Sequence, residues 1–553
     1  MSTTSTAQDG ALAKLPDNVL HNVFDRLKPW ELLCLARISE RIQRVSLAIY
    51  YDRRGVDVSP TGIIDITREG DYDLFAILRI TTFFTRTGHI SVVFVFPKWN
   101  FMENIRNLTL ILKRLVSVDM ITLTFRFDPE TRVNEENRPA LLTAEARSSK
   151  YKGLSKELQS LFSAAFRVAG VVRILESEQL LKMVGGDLHD NFLILSCFGV
   201  NGPPVISRYK VAAKVRMNKI IKLASRKPQE KVAIPPPKSS VVFLDIRSLV
   251  PLVPPFLSWT VICLNFQQRL RHLSFTTNSD ERVYWDPLLS NLHIPSLVQL
   301  TMNSNSCTLS DLAKFVKRHF QLSILDIHDF APMPIELPKV ANLAFKHISS
   351  LTAPCEVLSA FFSYPVDLLP NLKEVHVALS VTERRPLDLP QVWATMAPVA
   401  ERLRNIESVG LVVAYEAGES PFGKSLEGEG KPTLISLVKT LTLRLKVDLE
   451  SDIIGHLAGW IMAFTNIHEL RVESAYPYRY PIQTFFAKRA IAAEEEKKKI
   501  REDLSQELRE KLVVMGKLES CEIFGQRYPL AADASQTIRG ECERCKNELD
   551  GDE

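Results

Sequence analysis

No disulfide framework can be drawn from this 553-residue chain: its eight cysteines are scattered as singles, apart from Cys542 and Cys545. That usage points to a reducing compartment, cytoplasmic or nuclear. The CERC pair has neither a second cysteine pair nor a nearby histidine, so no zinc site is expected there. The first residues, MSTTSTAQDGALAKLPDN, have no basic start and no apolar core, unlike a secretion signal. One uncharged apolar stretch, Leu249 to Phe266, is interrupted by Pro251, Pro254 and Pro255. It reads as a buried loop and helix, not as a membrane span. Charge of one sign is also scarce. A net +5 over this length does not argue for nucleic acid, and 46% hydrophobic with 24% charged residues is the balance of a folded protein. The length exceeds one compact core and suits two or more domains or a solenoid.

One motif invites a nucleotide. Gly418 to Ser425 reads GESPFGKS, the G-x-x-x-x-G-K-S pattern of a phosphate-cradling loop. The chemistry would need a strand before the loop and a helix after it, with the helix N-terminus facing the anion. A strand is available at Ile406 to Val413. The helix is not, because Gly428, Gly430 and Pro432 occupy its first turns. A Gly-rich surface loop fits better, and a nucleotide hydrolase is the weakest functional alternative.

The first fifty residues carry the densest pattern. A first helix starts at Pro16 with Asp17 in its first turn, and has the stripe Leu20, Val23, Phe24, Leu27. Pro29 starts a second, with Glu31 in its first turn and Leu32, Leu33, Leu35, Ala36 and Ile38 following. Ser39 can cap a third, with Ile42, Val45, Leu47, Ile49 and Tyr50 as apolar contacts. Three short helices cannot hide all these side chains among themselves. The remainder needs cover from the rest of the chain or from another protein.

These residues, Leu15-Pro16, Leu20, Val23-Phe24, Leu27, Leu32-Leu33, Leu35 and Ser39-x-Arg41, resemble an F-box, also in lying near the N-terminus. The resemblance covers about forty residues; Trp30 and Cys34 depart from the commonest choices. It implies a non-catalytic subunit of a Skp–cullin–F-box ubiquitin ligase, which docks the Skp adaptor and captures a protein substrate. The adaptor-binding residues it implies are Leu15, Pro16, Leu20, Val23, Leu27, Leu32 and Leu35, with Phe24 and Leu33 either docked or internal. A scaffold that assembles without degrading is the alternative.

Beyond this segment a skeleton, apolar-x-x-apolar-x-apolar, keeps returning: Leu270/Leu273/Phe275, Leu297/Leu300/Met302, Leu322/Leu325/Ile327, Leu372/Val375/Val377, Ile406/Val409/Leu411, Val438/Leu441/Leu443, Ile467/Leu470/Val472 and Leu518/Cys521/Ile523. Weaker copies are Ile105/Leu108/Leu110, Val241/Leu244/Ile246 and Val340/Leu343/Phe345. Phe275 to Met302 is 27 residues and Met302 to Ile327 is 25. The skeleton and spacing resemble a leucine-rich repeat, with an irregular Asn ladder because only Asn278 and Asn305 occupy its position. Amphipathic helices at Thr308–His319 and Pro390–Asn405 fit between strands. Residues 56 to 240 show no clear repeat, although His89–Pro97 reads as a buried strand and Leu154–Glu176 as a helix followed by a strand.

The expected organisation is therefore α/β: a disordered tail (1–11), a three-helix F-box (12–52), irregular early repeats with a long insertion and basic linker (53–240), a leucine-rich-repeat-like solenoid with a parallel concave sheet (241–530) and a disordered tail (531–553). Residues between the inward apolar ones face the concave side. Candidate substrate contacts among them are His272, Gln299, His328, His376, Arg444 and Arg471. Strands lie ~5 Å apart, so histidines on non-adjacent strands are not expected to converge. No metal, cofactor, membrane or nucleic-acid partner is expected. Arg208 to Lys231 holds nine basic residues and one acidic; it suits either an acidic partner or a solvated helix face.

Overall fold

A computed structural model describes residues 15–67, 71–96, 100–127, 153–175, 240–248, 250–252, 256–276, 285–303, 307, 309–328, 345–363, 368–381, 389–415, 435–445, 460–461, 464, 466–474, 520–523 and 526–529. The chain divides into two compact units, residues 1–301 with 306–321, and residues 302–305 with 322–553.

The first unit opens with α1 (Asp17–Phe24), α2 (Pro29–Leu35) and α3 (Glu40–Arg54). Local chemistry sets each boundary. Asp17 lies in the first turn of α1 and pairs with Arg41 at 2.7 Å. Pro29 opens α2, and the Glu31 carboxylate accepts from the Lys28 N–H at 2.7 Å. The Ser39 hydroxyl accepts from the Ile42 N–H at 3.3 Å to cap α3, which ends at Gly55 in the left-handed region (φ 63°). Leu20, Phe24, Leu32, Ala36, Ile42 and Leu47 are buried.

Strands and helices then alternate: β1 (Ile63–Ile66), α4 (Asp73–Ile80), β2 (Arg86–Phe96), α5 (Phe101–Arg114), β3 (Ser117–Phe127), α6 (Leu154–Val168), β4 (Ala169–Leu175), β5 (Phe243–Ile246), α7 (Phe256–Asn265), β6 (His272–Thr276), α8 (Trp285–Asn291), β7 (Gln299–Asn303) and α9 (Leu309–Arg318). β1 to β6 pair in chain order, each parallel to the next. Alternation along each strand puts Ile64, Ile66, Val92, Phe94, Ile121, Leu123, Val172, Ile174, Leu244, Ile246, Leu273 and Phe275 on one buried face. Aromatic contacts tie that face to the helices: Phe94 stacks on Phe125 at 5.3 Å and meets Phe101 edge-on at 6.2 Å, while Phe125 meets Phe162 at 6.2 Å. Each fully buried ring contributes about 1.5–3 kcal/mol.

The second unit continues with β8 (Ile324–His328), β9 (Ser350–Pro354), α10 (Cys355–Ser363), β10 (Glu374–Val381), α11 (Leu389–Met396), α12 (Ala400–Arg404), β11 (Ser408–Tyr415), β12 (Val438–Leu445), β13 (Glu469–Ser474), β14 (Ser520–Ile523) and β15 (Gln526–Pro529). β8 to β14 pair parallel in chain order, and β15 returns antiparallel to β14. The α/β class with a parallel sheet is as expected.

Three local readings change. Ile105/Leu108/Leu110 lies in α5, not in a strand, because Ile105 and Leu108 are also a helical i, i+3 pair; Leu110, off that face, is 44% exposed. Of the copy at Val340/Leu343/Phe345, Val340 and Leu343 lie outside the described residues; a strand not singled out in the sequence forms at Ser350–Pro354, carried by Leu351 and Ala353. Pro390–Asn405 is broken into α11, a 3-10 turn at Ala397–Val399 and α12, with Pro398 at the break. His89–Pro97 and Leu154–Glu176 form β2 and α6 with β4, as read. The loop Gly418–Ser425, the basic stretch Arg208–Lys231 and the CERC pair lie outside the described residues. Among the described residues no helix is long and apolar enough to cross a membrane.

Candidate functional site

Two surfaces gather the residues singled out in the sequence. The first is the outward face of α1 and α2. Val19 and Val23, four residues apart on α1, are 38% and 45% exposed. Trp30 and Cys34, four apart on α2, are exposed, and Ile38 follows at the same spacing, with Trp30 at 62% and Ile38 at 60%. Backbone bonds from the Arg37 and Ile38 N–H groups to Cys34 and Leu35 extend the last turn of α2, which keeps Ile38 on the Trp30 side. Pro16 is exposed too. The result is a pair of apolar stripes left open to solvent.

Burial sorts the expected docking set: Leu20 and Leu32 are interior, and Phe24 takes the internal place that was one of its two expected ones. Leu20, Phe24 and Leu32 are 0%, 1% and 0% exposed. They form the interior of the three-helix layer and reach no partner without unpacking it. Leu15, Leu27, Leu33 and Leu35 are half-buried, while Pro16 and Val23 are exposed. Val19, Trp30, Cys34 and Ile38 were missed as docking candidates. Their signal was the i, i+4 spacing they share with each other and, for Val19, with Val23.

Two buried side chains, Gln43 and Tyr51, tie the three helices to α4 and the residues that follow it. The Gln43 amide nitrogen donates to the Ala36 carbonyl at 3.1 Å and to the Ile80 carbonyl at 2.9 Å. Its oxygen accepts from the Thr82 N–H at 3.2 Å and from the Thr82 hydroxyl at 2.7 Å. Beside it the Tyr51 hydroxyl bonds the Thr81 hydroxyl at 2.6 Å. Burial pushes the Tyr51 phenol well above its ordinary range, so it stays neutral. A cavity of about 490 Å³ opens at this seam, lined by residues that include Ala36, Arg37, Gln43, Ile80 and Thr82.

The second kind of surface, taken in each unit by itself, is the strand face opposite the one that carries the buried apolar rows. His272 and Gln299 lie on it in the first unit, both half-buried; the His272 ring sits 5.9 Å from that of Phe243, its register partner. His328, His376, Arg444 and Arg471 lie on it in the second unit. One register row runs Asp326, Thr352, His376, Gly410, Thr440, Glu469 across β8 to β13. The register shifts between Val409 and Gly410, where Lys439 is the extra, unpaired residue on β12. A Cβ at Gly410 would stand 2.1 Å from His376 Nδ1 and 2.4 Å from Thr440 Oγ1, so both side chains lean over the glycine. Both atoms are buried, and neither has a hydrogen-bond partner among the described residues. Burial holds the His376 pKa down against the raising effect of Glu374 and Asp326.

Higher on the face, Arg444 Nη1 contacts His328 Nε2 at 3.3 Å and its Nε donates to Glu473 at 3.1 Å. Arg471 pairs with Glu469 at 3.0 Å. Arg444 and His328 thus meet from non-adjacent strands. Four inter-strand steps separate β8 from β12, about 19 Å on a flat sheet, so this face curves inward. Among the described residues no three His, Cys, Asp or Glu side chains cluster as metal ligands. No family model matches this chain, and no curated protein matches it either.

Proposed function

We propose that the chain is a substrate-receptor subunit of a Skp–cullin–F-box ubiquitin ligase. The three N-terminal helices act as an F-box that docks the Skp adaptor. The strand–helix body acts as an irregular leucine-rich-repeat-like receptor for a protein substrate. The work of such a subunit is proximity: it raises the local concentration of substrate lysines at the transfer centre, and no catalytic group of its own is required.

The observation that carries this reading is the open apolar face, Val19, Val23, Trp30, Cys34 and Ile38, on a helical layer whose interior is already filled by Leu20, Phe24 and Leu32. Covering Trp30 alone would remove on the order of 100–150 Å² of apolar area from water, about 3 kcal/mol. Within each unit, strands that pair parallel in chain order and alternate with helices support the repeat reading of the body. The inward-curving face of the second unit, with Arg444, His328 and His376, is the receptor surface this reading favours within that unit.

Capture of purified Skp adaptor by the full chain tests the docking role. Wild-type protein should retain the adaptor, and Val23→Asp with Trp30→Asp should release it while circular dichroism stays unchanged. Failure of the wild type to bind, or full retention by the double variant, defeats the assignment. Ubiquitylation of captured protein in the reconstituted ligase then separates a receptor from a non-degradative scaffold.

A further inference from the structure

We infer that the partner covering this helical face presents an apolar groove rimmed by carboxylates; the inference rests on the docking role proposed above and specifies the chemistry of the partner. It comes from how charge is distributed over the three helices. Every acidic residue between Leu15 and Tyr51 is engaged within the layer. Asp17 pairs with Arg41, Asp25 with Arg53, Glu40 with Arg44, and Glu31 caps the N-terminus of α2. The cations are not balanced in the same way. Arg41 and Arg44 are taken by those pairs, whereas Arg26, Lys28 and Arg37 are exposed, and among the described residues their side chains have no ion pair or hydrogen bond.

Two of these cations sit where the apolar stripes end. The Arg26 N–H bonds the Val23 carbonyl, so the turn after α1 carries Val19, Val23 and Arg26 at i, i+4, i+7. Trp30, Cys34 and Arg37 have the same spacing on α2, with Ile38 beside Arg37. Lys28 lies between the stripes in the chain. Arg37 also lines the cavity of about 490 Å³ at the seam with α4, together with Glu40, whose carboxylate is paired with Arg44. A neutral or basic partner would cover Val23 and Trp30 while leaving two or three cations desolvated at the rim, an unfavourable outcome. Carboxylates placed opposite them give charge-assisted bonds at Arg37 and steer the encounter over the Debye length.

The test is stopped-flow or surface binding of purified adaptor to the full chain. Between about 50 mM and 500 mM salt the association rate should fall roughly tenfold, with the dissociation rate changing far less. Arg26→Glu with Arg37→Glu should lower the association rate about fivefold or more at low salt. Lys113→Glu with Lys156→Glu makes the same change in net charge at exposed positions of α5 and α6 and should stay within about twofold of wild type. Thermal unfolding of both double variants checks that the fold is intact. If binding is tight but insensitive to salt, or the two double variants behave alike, the carboxylate rim is wrong and the apolar docking role stands. If the wild-type chain does not bind adaptor at all, the docking role fails and the rim falls with it.

Discussion

Replacing Gln43 by Met tests whether the three-helix layer is a fixed part of the first unit. Met keeps an unbranched side chain of similar volume, so packing is nearly conserved while four hydrogen bonds are removed. The groups left behind differ in their access to water. Thr82 is exposed, and its N–H and hydroxyl can turn to solvent. Ile80 is half-buried, and losing the donor to its carbonyl costs about 1 kcal/mol. Ala36 is 1% exposed, and its stranded carbonyl costs about 1–3 kcal/mol. The sum is about 2–4 kcal/mol. It falls on the seam, because the Tyr51–Thr81 bond and the Arg114 contacts to the Leu78, Arg79 and Thr81 carbonyls remain. Hydrogen exchange resolves this where a global melt would not. Interior amides of α3 should lose protection by roughly 30- to 800-fold, at 1.4 kcal/mol per decade, while amides of α5 stay within about threefold. Unchanged protection in α3 would refute the reasoning, and equal loss in α3 and α5 would show that the layer and the body open together.

Three further outcomes are expected. His319 is neutral: its Nε2 accepts from the Ile294 N–H at 3.0 Å, its Nδ1 bonds the Phe315 carbonyl at 2.7 Å, and burial pushes its pKa down to about 4 from 6.5. An opened state takes the proton first, so the stability it lends is complete above pH 6.5 and is lost progressively as pH falls to 4, about 3 kcal/mol in all; Ile294 amide protection, corrected for intrinsic exchange, should follow that curve and flatten in His319→Phe. Of the described cysteines Cys34 is exposed, whereas burial raises the thiols of Cys307 and of Cys355, the latter to about 12. Maleimide should therefore label Cys34 first, and saturating adaptor should protect it; an unchanged labelling rate would place the partner elsewhere. Gly62→Ala puts a Cβ 2.3 Å from the backbone oxygen of Asp57, which cannot step aside, and should cost about 3 kcal/mol. Gly55→Ala meets nothing within 4 Å and should cost about 1 kcal/mol for its positive φ. Urea midpoints in the reverse order would contradict both assignments.

The helices of the N-terminal layer were legible because caps and prolines mark their ends; the division of their apolar residues was not. Periodicity offers two neighbouring stripes on α1. Leu20, Phe24 and Leu27 form one, and Val19 and Val23 the other, one residue back at each level. Both are apolar, so the pattern cannot say which side packs on α3. Side-chain size gives the missing clue: the large Leu20 and Phe24 fill the interior and the smaller valines stay outside. On α2 the same rule fails at Trp30, the largest side chain of the segment and 62% exposed. A tryptophan left in water where leucines were available for the surface is what makes this face a candidate for binding.

The body shows a different limit. The repeated skeleton locates β6 to β8 and β10 to β14 because each strand shows two inward apolar residues bounded by coil. It passes over β9, where Ala353 and Pro354 blur the end of the strand, and it misassigns Ile105–Leu110, where the same letters suit a helix. Strand order follows from a chain that returns to the same edge after each helix. Curvature does not, since it depends on how much thicker the helical layer is than the strand layer, summed over many units. That sum decides what the open face can do. On a flat sheet Arg444 and His328 would be strangers about 19 Å apart; on the curved one they touch at 3.3 Å. A ligand meeting Arg444 therefore meets β8 as well as β12, and Gly410 lets His376 lie low between them. Enlarging Gly410 should lift His376 into the space that the curvature has narrowed, so its effect on anything bound there should exceed its effect on stability.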